Sequence, residues 1–273
     1  MKLQFHLPLM TYPDATSFTL LQNAVEVASN ESAHLNVNVH QVKAPYLSPP
    51  FPTMLDIEKL KEEAEWSSRN AGTVLKTTLH DYAEEAGVAI SIGSFECAET
   101  FVGSRIAELS RVYDLNILEA SEIGRPIIEC VLFESGRPLL LFPTDMCPDR
   151  FATIAIAWDG SQTLARALTG ARAFLGGSSK VILISVNNDK TIDTNNRDQY
   201  ATVLRNSGLP VDIISAQSAG LSPAITLQAV AKENGANLLV AGGFGQSRFR
   251  EFILGGVTRS LLGNLDMPVL LSH

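Results

Sequence analysis

The stretch at residues 237–258, NLLVAGGFGQSRFREFILGGVT, joins a short apolar run to two groups of glycines. The run at 237–241 is bounded by glycines, which predicts a strand that is buried on both faces. It leads directly into the glycines of residues 242–245. Glycine lets the backbone adopt positive φ and come close to a ligand. The first half of the stretch therefore predicts a strand that ends in a ligand-binding turn.

The second half of the stretch predicts a helix start. Gly255 and Gly256 precede Val257 and Thr258, and the free N–H groups of a helix N-terminus favour an anion. Basic residues close to it in sequence are Arg248, Arg250 and Arg259. Together the two halves predict a cradle for a nucleotide phosphate. The alternative is that the glycines only shape a tight turn between a strand and a helix.

The spacing of these glycines resembles the G-x2-G-x9-G-[S/T] signature of the universal stress protein family. Gly242, Gly245 and Gly255 fall on the three glycines of the motif. Gly256 stands where ATP-binding members have a hydroxyl residue, and Thr258 matches a later hydroxyl position. The resemblance implies an α/β fold of two tandem flavodoxin-like or Rossmann-like domains, of the adenine nucleotide alpha hydrolase-like type, each a mainly parallel sheet flanked by helices.

A second part of the resemblance lies at residues 153–161, TIAIAWDGS, which look like the family's first strand and its Asp-Gly-Ser turn. It implies that Asp159 and Gly160 lie at the adenine end of the site and that Val186, at the end of the next strand, presents backbone groups to adenine. A carboxylate at the end of a parallel strand is also well placed to accept hydrogen bonds from an amine or a ribose hydroxyl. Asp159 or Ser161 could instead cap the next helix.

An internal repeat predicts two domains. Residues 113–120 parallel residues 235–242, and residues 137–141 parallel residues 267–271. We expect a degenerate universal stress protein domain at residues 1–145 and a domain with the nucleotide-binding motif at residues 146–273. The short linker predicts close packing of the halves, as an internal pseudo-dimer formed through their terminal strands. A further homodimer stays open.

The first half has lost much of the cradle. Gly242 and Pro268 are 26 positions apart, whereas the matching Ser121 and Pro138 are 17 apart, a difference of nine. Asp14 loosely parallels Asp159 and is expected to cap the first helix. Residues 1–145 contain 10 Lys and Arg against 20 Asp and Glu, net −10, and residues 146–273 contain 11 against 9, net +2. An anion site is therefore expected in the second half, and the first half is expected to serve pairing, stability or a different ligand.

Apolar patterning predicts strands that alternate with helices, which is typical of parallel sheets covered on both faces. Strands are expected at 7–12, 35–42, 88–93, 115–120 and 139–142, and again at 153–158, 181–186, 210–216, 238–241 and 269–271. The clearest helices are expected at 16–28, 54–86 and 162–175.

Composition excludes several classes of function. The net charge of −8 argues against binding to nucleic acid or to an anionic membrane. Three cysteines without a C-x-x-C pair fit a reducing cytoplasm, and no apolar run is long enough to span a membrane. Motifs for a Walker phosphate loop, a nucleophile elbow and a zinc protease are absent. The sequence predicts no catalytic residue, and slow ATP hydrolysis is the most that we expect.

The leading hypothesis is a cytoplasmic universal stress protein that binds ATP or another adenine nucleotide in its C-terminal half and acts as a stress-response sensor or regulator. Magnesium could accompany a triphosphate beside Asp159, Asp189 and Asp193, although loop solvation is the more ordinary role of such residues. The alternative hypothesis is an interaction scaffold of the same fold that binds no nucleotide.

Overall fold

The computed structural model describes residues 1–44, 56–121, 123–144, 146, 150–187, 194–218, 222–243 and 265–273. The strands are β1 (Gln4–Leu9), β2 (His34–Val42), β3 (Ile90–Cys97), β4 (Leu115–Glu119), β5 (Leu139–Phe142), β6 (Thr153–Ala157), β7 (Lys180–Asn187), β8 (Val211–Gln217), β9 (Leu238–Gly242) and β10 (Val269–Ser272). The helices are α1 (Phe18–Asn30), α2 (Ile57–Glu85), α3 (Val102–Ser110), α4 (Arg125–Glu134), α5 (Gln162–Gly170), α6 (Arg172–Gly177), α7 (Thr194–Asn206) and α8 (Pro223–Glu233).

The described strands form one sheet in the order β3-β2-β1-β4-β5-β10-β9-β6-β7-β8. All neighbours are parallel except β5 and β10, which pair antiparallel. The terminal strands of the two halves therefore pair within one chain, and each half is a five-stranded parallel sheet. This confirms the predicted α/β class. The boundary at residues 145 and 146 stays a prediction, between the end of β5 and the start of β6.

Burial follows position in the sheet. The central strands β5, β9 and β10 are largely apolar and buried throughout, and the first four residues of β4 are buried as well, as expected for strands covered on both faces. The outer strands β3 and β8 alternate between partly buried and exposed residues. Phe5, Phe142, Phe151 and Phe174 form an aromatic cluster in which neighbouring ring centroids are 5.4 or 6.4 Å apart. This cluster joins the two halves on one face of the sheet.

Three expected elements were misplaced. β1 runs from Gln4 to Leu9 instead of from 7 to 12, because Phe5, Leu7 and Leu9 all point into one core cluster. β3 runs to Cys97, past the expected end at Gly93, because its ladder with β2 continues to that residue. The helix expected at 162–175 is divided at Ala171 into α5 and α6, next to Gly170, a poor helix former.

The strand ladders show which residues of the two halves are equivalent. Asn116 N donates to Pro138 O at 2.9 Å, and Leu239 N donates to Pro268 O at 3.0 Å. At the other end of the same strands, Ala120 N bonds Phe142 O and Gly243 N bonds Ser272 O. β4 and β9 therefore superpose with a shift of 123 residues, the difference between 239 and 116.

Candidate functional site

The residues predicted to hold a nucleotide divide into two groups. Asp159, Gly160, Val186 and Gly242 lie within the described residues. The remaining predicted residues lie outside them: Gly245, Arg248, Gly255, Gly256, Val257 and Thr258, together with Asp189 and Asp193.

The four described residues lie at one edge of the second half-sheet. β6 stands between β9 and β7, and all three strands are parallel, so their carboxyl ends meet at this edge. Trp158 N donates to Ile184 O at 2.7 Å, which extends the β6–β7 ladder to the residue before Asp159. From β6 the chain continues to β7, on one side of β6, and later returns to β9, on the other side of β6. Asp159 and Gly242 therefore flank a topological switch point, where open α/β sheets bind ligands.

Asp159 opens the tight turn between β6 and α5. Its Oδ1 accepts a hydrogen bond from Ser161 N at 2.9 Å. Gly160 has a φ of +69°, a left-handed conformation that glycine adopts without strain. Ser161 is the N-cap of α5, because its Oγ accepts from Leu164 N at 3.1 Å. The turn thus fixes Asp159 at the carboxyl edge through one carboxylate oxygen and leaves Oδ2 outside the turn.

Gly242 packs directly against the first turn of α5. A Cβ atom at this position would lie 2.5 Å from Leu164 N and 2.6 Å from Thr163 Oγ1. Both distances are far below van der Waals contact, so any side chain here would push α5 away from β9. The N-terminus of α5 is consequently held against the end of β9. The glycine-rich segment at residues 242–258, called the glycine loop below, begins at this strand end.

Val186 and Gly243 complete the described part of this edge. Val186 is 5% exposed and pairs with Ala216 in the β7–β8 ladder. Gly243 donates to Ser272 O at 2.6 Å, and a Cβ on it would lie 3.0 Å from that oxygen. The side chain of Leu132, on α4 of the first half, lies close to the same glycine. The base of the glycine loop therefore contacts both halves of the molecule.

Three residues near this edge were not assigned a role from the sequence. Trp158 is 8% exposed, and its ring stacks on Tyr200 of α7 with centroids 5.5 Å apart. Burial raises the pKa of Tyr200, an effect that Arg172 partly offsets. Arg197 Nη1 donates to Ser185 Oγ at 3.3 Å and Ser215 Oγ at 3.2 Å. Of these three residues, only Trp158 has a signal in the sequence, because it is an aromatic residue directly before Asp159.

The equivalent edge of the first half is different. The 123-residue shift places Glu119, not Ser121, opposite Gly242, because Glu119 pairs with Phe142 as Gly242 pairs with Ser272. The match of Ser121 with Gly242 was wrong by two residues. Counted from Glu119, 19 positions separate the strand end from Pro138, against 26 in the second half, so seven positions are missing.

Asp14 does not cap α1. The cap is Ser17, whose Oγ accepts from Leu20 N at 3.1 Å, because the loop after β1 continues for three residues beyond Asp14. Nor is Asp14 equivalent to Asp159. Phe5 pairs with Leu115 as Ile154 pairs with Leu238, which places Met10 opposite Asp159.

The described residues contain neither a candidate metal site nor a candidate membrane span. No group of three or more His, Cys, Asp or Glu is placed to hold a metal ion. Within the same described ranges, no helix is both long enough and apolar enough to cross a membrane.

Comparison with known proteins gives a family match for the C-terminal part of the chain and a fold for the whole of it. Residues 197–273 match the sequence profile of the universal stress protein family, and no curated protein matches the chain. A universal stress protein from Archaeoglobus fulgidus is 20% identical over 98% of this chain and 95% of its own, with a TM-score of 0.72. A protein from Pseudomonas aeruginosa UCBPP-PA14, provisionally assigned to the same family, is 17% identical over 98% of this chain and 92% of its own, with a TM-score of 0.55. At these identities, the structural likenesses establish the fold of the whole chain.

Proposed function

We propose that this chain, whose residues 197–273 match the universal stress protein family and which has the fold of such a protein throughout, binds an adenine nucleotide in its C-terminal half. Binding there changes the shape or the partners of the protein, so that it acts as a sensor or regulator in a stress response. The one observation that carries the proposal is the packing of Gly242 on the N-terminus of α5.

That packing matters because it places two kinds of ligand-binding group side by side. The side-chain-free end of β9 leads into the glycine loop, and the first turn of α5 lies against it. Glycines at a strand end next to a helix N-terminus are the arrangement that favours phosphate. Residues 146–273 also carry a net charge of +2, from 11 basic and 9 acidic residues. An anionic ligand is therefore favoured at this edge over the equivalent edge of the first half.

Asp159 supplies the complementary group for the nucleoside. One carboxylate oxygen is held by Ser161 N, which orients the side chain, and the other is outside that turn. A carboxylate oxygen at a strand end accepts hydrogen bonds from an exocyclic amine or from ribose hydroxyls. In the proposed complex, Asp159 binds the nucleoside, backbone groups near Val186 contact the base, and the glycine loop with Thr258 holds the phosphates. A magnesium ion would enter the site bound to the nucleotide.

The proposal is tested by calorimetric titration of the full chain with ATP, ADP and AMP, with and without magnesium. Asp159→Asn keeps an oxygen for Ser161 N but replaces the second acceptor with a donor. We expect it to weaken nucleotide binding about tenfold or more, since a hydrogen bond to a charged group is worth about 1.5–3 kcal/mol. Its stability should stay close to that of the parent chain, which separates lost binding from lost folding.

Gly245→Val tests the loop independently, and we expect it to abolish binding. Parent-like affinity in both variants would contradict the proposed site. Absence of binding by the parent chain at millimolar nucleotide would favour the alternative, an interaction scaffold that keeps the glycine loop for its shape.

A further inference from the structure

A cavity of about 450 Å³ opens at the switch point of the first half-sheet, between the carboxyl ends of β1 and β4. Its walls are largely apolar and include Met10, Leu20, Val102, Ile127 and Ile128. The volume is within the range of about 300–1,000 Å³ that is typical of small-molecule sites. This is the position at which the second half presents Asp159 and Gly242, but the residues here are different.

The cavity exists because the loop after β1 is longer than its counterpart. Pro8 and Ala157 are equivalent by the strand ladders, and the N-caps of the following helices are Ser17 and Ser161. Nine positions separate the first pair, from 8 to 17, and four separate the second, from 157 to 161. The five additional residues form part of the cavity wall, which residues 12–16 line.

Glu119 occupies the position that glycine has in the second half. Its Oε2 accepts a hydrogen bond of 3.4 Å from Ser17 N, at the N-terminus of α1. Its Oε1 is buried and has no hydrogen-bond partner within the described part of the chain. A buried acceptor without a partner destabilises the folded chain. The side chain lines the cavity, so a ligand in the cavity could supply the missing donor.

The charged residues that line the cavity determine which sign of charge is favoured on the ligand. The described residues that line it include the acidic residues Asp14, Glu99 and Glu119 and no Lys, Arg or His. The carboxylate of Glu119 already lies at the N-terminus of α1, where a phosphate would otherwise be favoured. Residues 1–145 carry a net charge of −10, from 10 basic and 20 acidic residues. The site therefore disfavours phosphate and favours a cation.

We propose that this cavity is a second ligand site, which binds a small amphipathic cation. The protonated amine of the ligand donates to Glu119 Oε1, and its apolar body lies against Leu20, Val102 and Ile128. The two halves then bind ligands of opposite charge at equivalent positions of the sheet. The proposal is independent of nucleotide binding in the second half.

The test uses three probes of one shape and different charge on the full chain: phenethylammonium, neutral 2-phenylethanol and anionic phenylacetate. Binding is followed by NMR of the isoleucine methyl groups, because Ile127 and Ile128 line the cavity and report where a probe binds. We expect phenethylammonium to bind most tightly and phenylacetate most weakly, with shifts centred on these two residues.

Glu119→Gln removes the charge and keeps the size of the side chain. We expect it to weaken phenethylammonium about tenfold or more, the effect of losing a hydrogen bond to a charged group, and to change the affinity for 2-phenylethanol less than about twofold. Unchanged alcohol binding shows that the variant still folds around the cavity. Ile127→Trp fills the cavity and should remove binding of all three probes.

Equal affinity for the three probes would overturn the proposal, as would parent-like binding of phenethylammonium to Glu119→Gln. Methyl shifts centred outside the cavity, or no saturation of any probe by about 20 mM, would also overturn it. ATP titration of Glu119→Gln should match the parent chain. Failure of this second site is therefore distinguishable from failure of the nucleotide site.

Discussion

Glu119 and Gly242 are the last residues of β4 and β9, and they occupy the same place in the two half-sheets. Glu119 pairs with Phe142 and Gly242 pairs with Ser272. At Gly242 the first turn of α5, the helix that follows β6, packs against the strand end, whereas at Glu119 a carboxylate lies between the strand and α1. The acid in place of glycine at this position, together with the longer loop after β1, thus separates a close strand–helix contact from an open acidic cavity.

The contact at Gly242 predicts a steric cost for any side chain. Gly242→Ala places a Cβ atom 2.5 Å from Leu164 N, so β9 or α5 must move. We expect the free energy of unfolding in urea to fall by about 1–3 kcal/mol, as for other overpacked sites. Gly176→Ala is the matched control, because a Cβ there meets no atom within 4 Å, and its stability should be unchanged or slightly increased. Equal stability of the two variants would contradict the packing.

Arg197 predicts a second stability difference. Its side chain is 9% exposed and holds α7 to β7 and β8 through the hydroxyl groups of Ser185 and Ser215. Lysine lacks the planar fork of donors, so Arg197→Lys cannot replace these bonds together with the one to Asp198. We expect a loss of about 1–3 kcal/mol in unfolding free energy. Arg166→Lys, on the exposed face of α5, should have no measurable effect in the same denaturation experiment.

The extent to which the sequence predicts the fold depends on how regular each element is. β5 is a short apolar run after a proline and was placed at its observed bounds, 139–142. β1 was placed three residues late, because the buried polar residue His6 breaks the apolar pattern. Nδ1 of His6 lies 2.9 Å from Asn116 Oδ1 and Nε2 lies 3.0 Å from Asn38 Oδ1. Those partners are distant in the chain, so local patterning cannot reveal them.

The two candidate sites also differ in how far the sequence predicts them. Asp159 and Gly242 stand out in the sequence because a strand pattern leads directly to an acid or to glycines. Glu119 does not, because its equivalence to Gly242 depends on strand register, and an ungapped repeat matched Ser121 instead. The cavity beside it depends on the length of a loop and on the close approach of α1, α3 and α4, which no local pattern records.

Two buried histidines predict that stability falls in mild acid. Burial lowers the pKa of His6 and of His40 below the ordinary value of 6.5, although hydrogen bonds to Asn116 and to Cys97 O partly oppose this. The unfolded chain therefore binds more protons than the folded chain below about pH 6.5, so stability is retained above that pH and lost as the pH falls through it. Each histidine contributes up to about 1.4 kcal/mol per pH unit.

His6→Gln separates this effect from general acid sensitivity. The variant is expected to be less stable at neutral pH, because it loses part of the buried hydrogen-bond network, but its unfolding free energy should depend less steeply on pH. Urea denaturation between about pH 5 and pH 8 measures both slopes. Identical slopes in the parent chain and the variant would show that His6 does not titrate on unfolding.

Trp158 predicts an optical signal for the nucleotide site. It is 8% exposed and precedes Asp159, whereas the other tryptophan, Trp66, is 66% exposed on α2. In Trp66→Phe, which leaves Trp158 as the single tryptophan, we expect ATP to change the emission intensity or wavelength with saturation. Trp158→Phe, which retains Trp66, should give no saturable change. A signal carried by Trp66 would place the nucleotide elsewhere.

The most direct measurement is to denature the purified full chain, identify the released small molecules by mass spectrometry, and then measure the stoichiometry of rebinding. We predict an adenine nucleotide at about one equivalent per chain, consistent with one phosphate cradle in the two half-sheets, and unchanged stoichiometry in Glu119→Gln. No released nucleotide together with no rebinding at millimolar ATP, ADP or AMP would contradict the proposed function. Two equivalents per chain would contradict the assignment of the nucleotide to the second half alone.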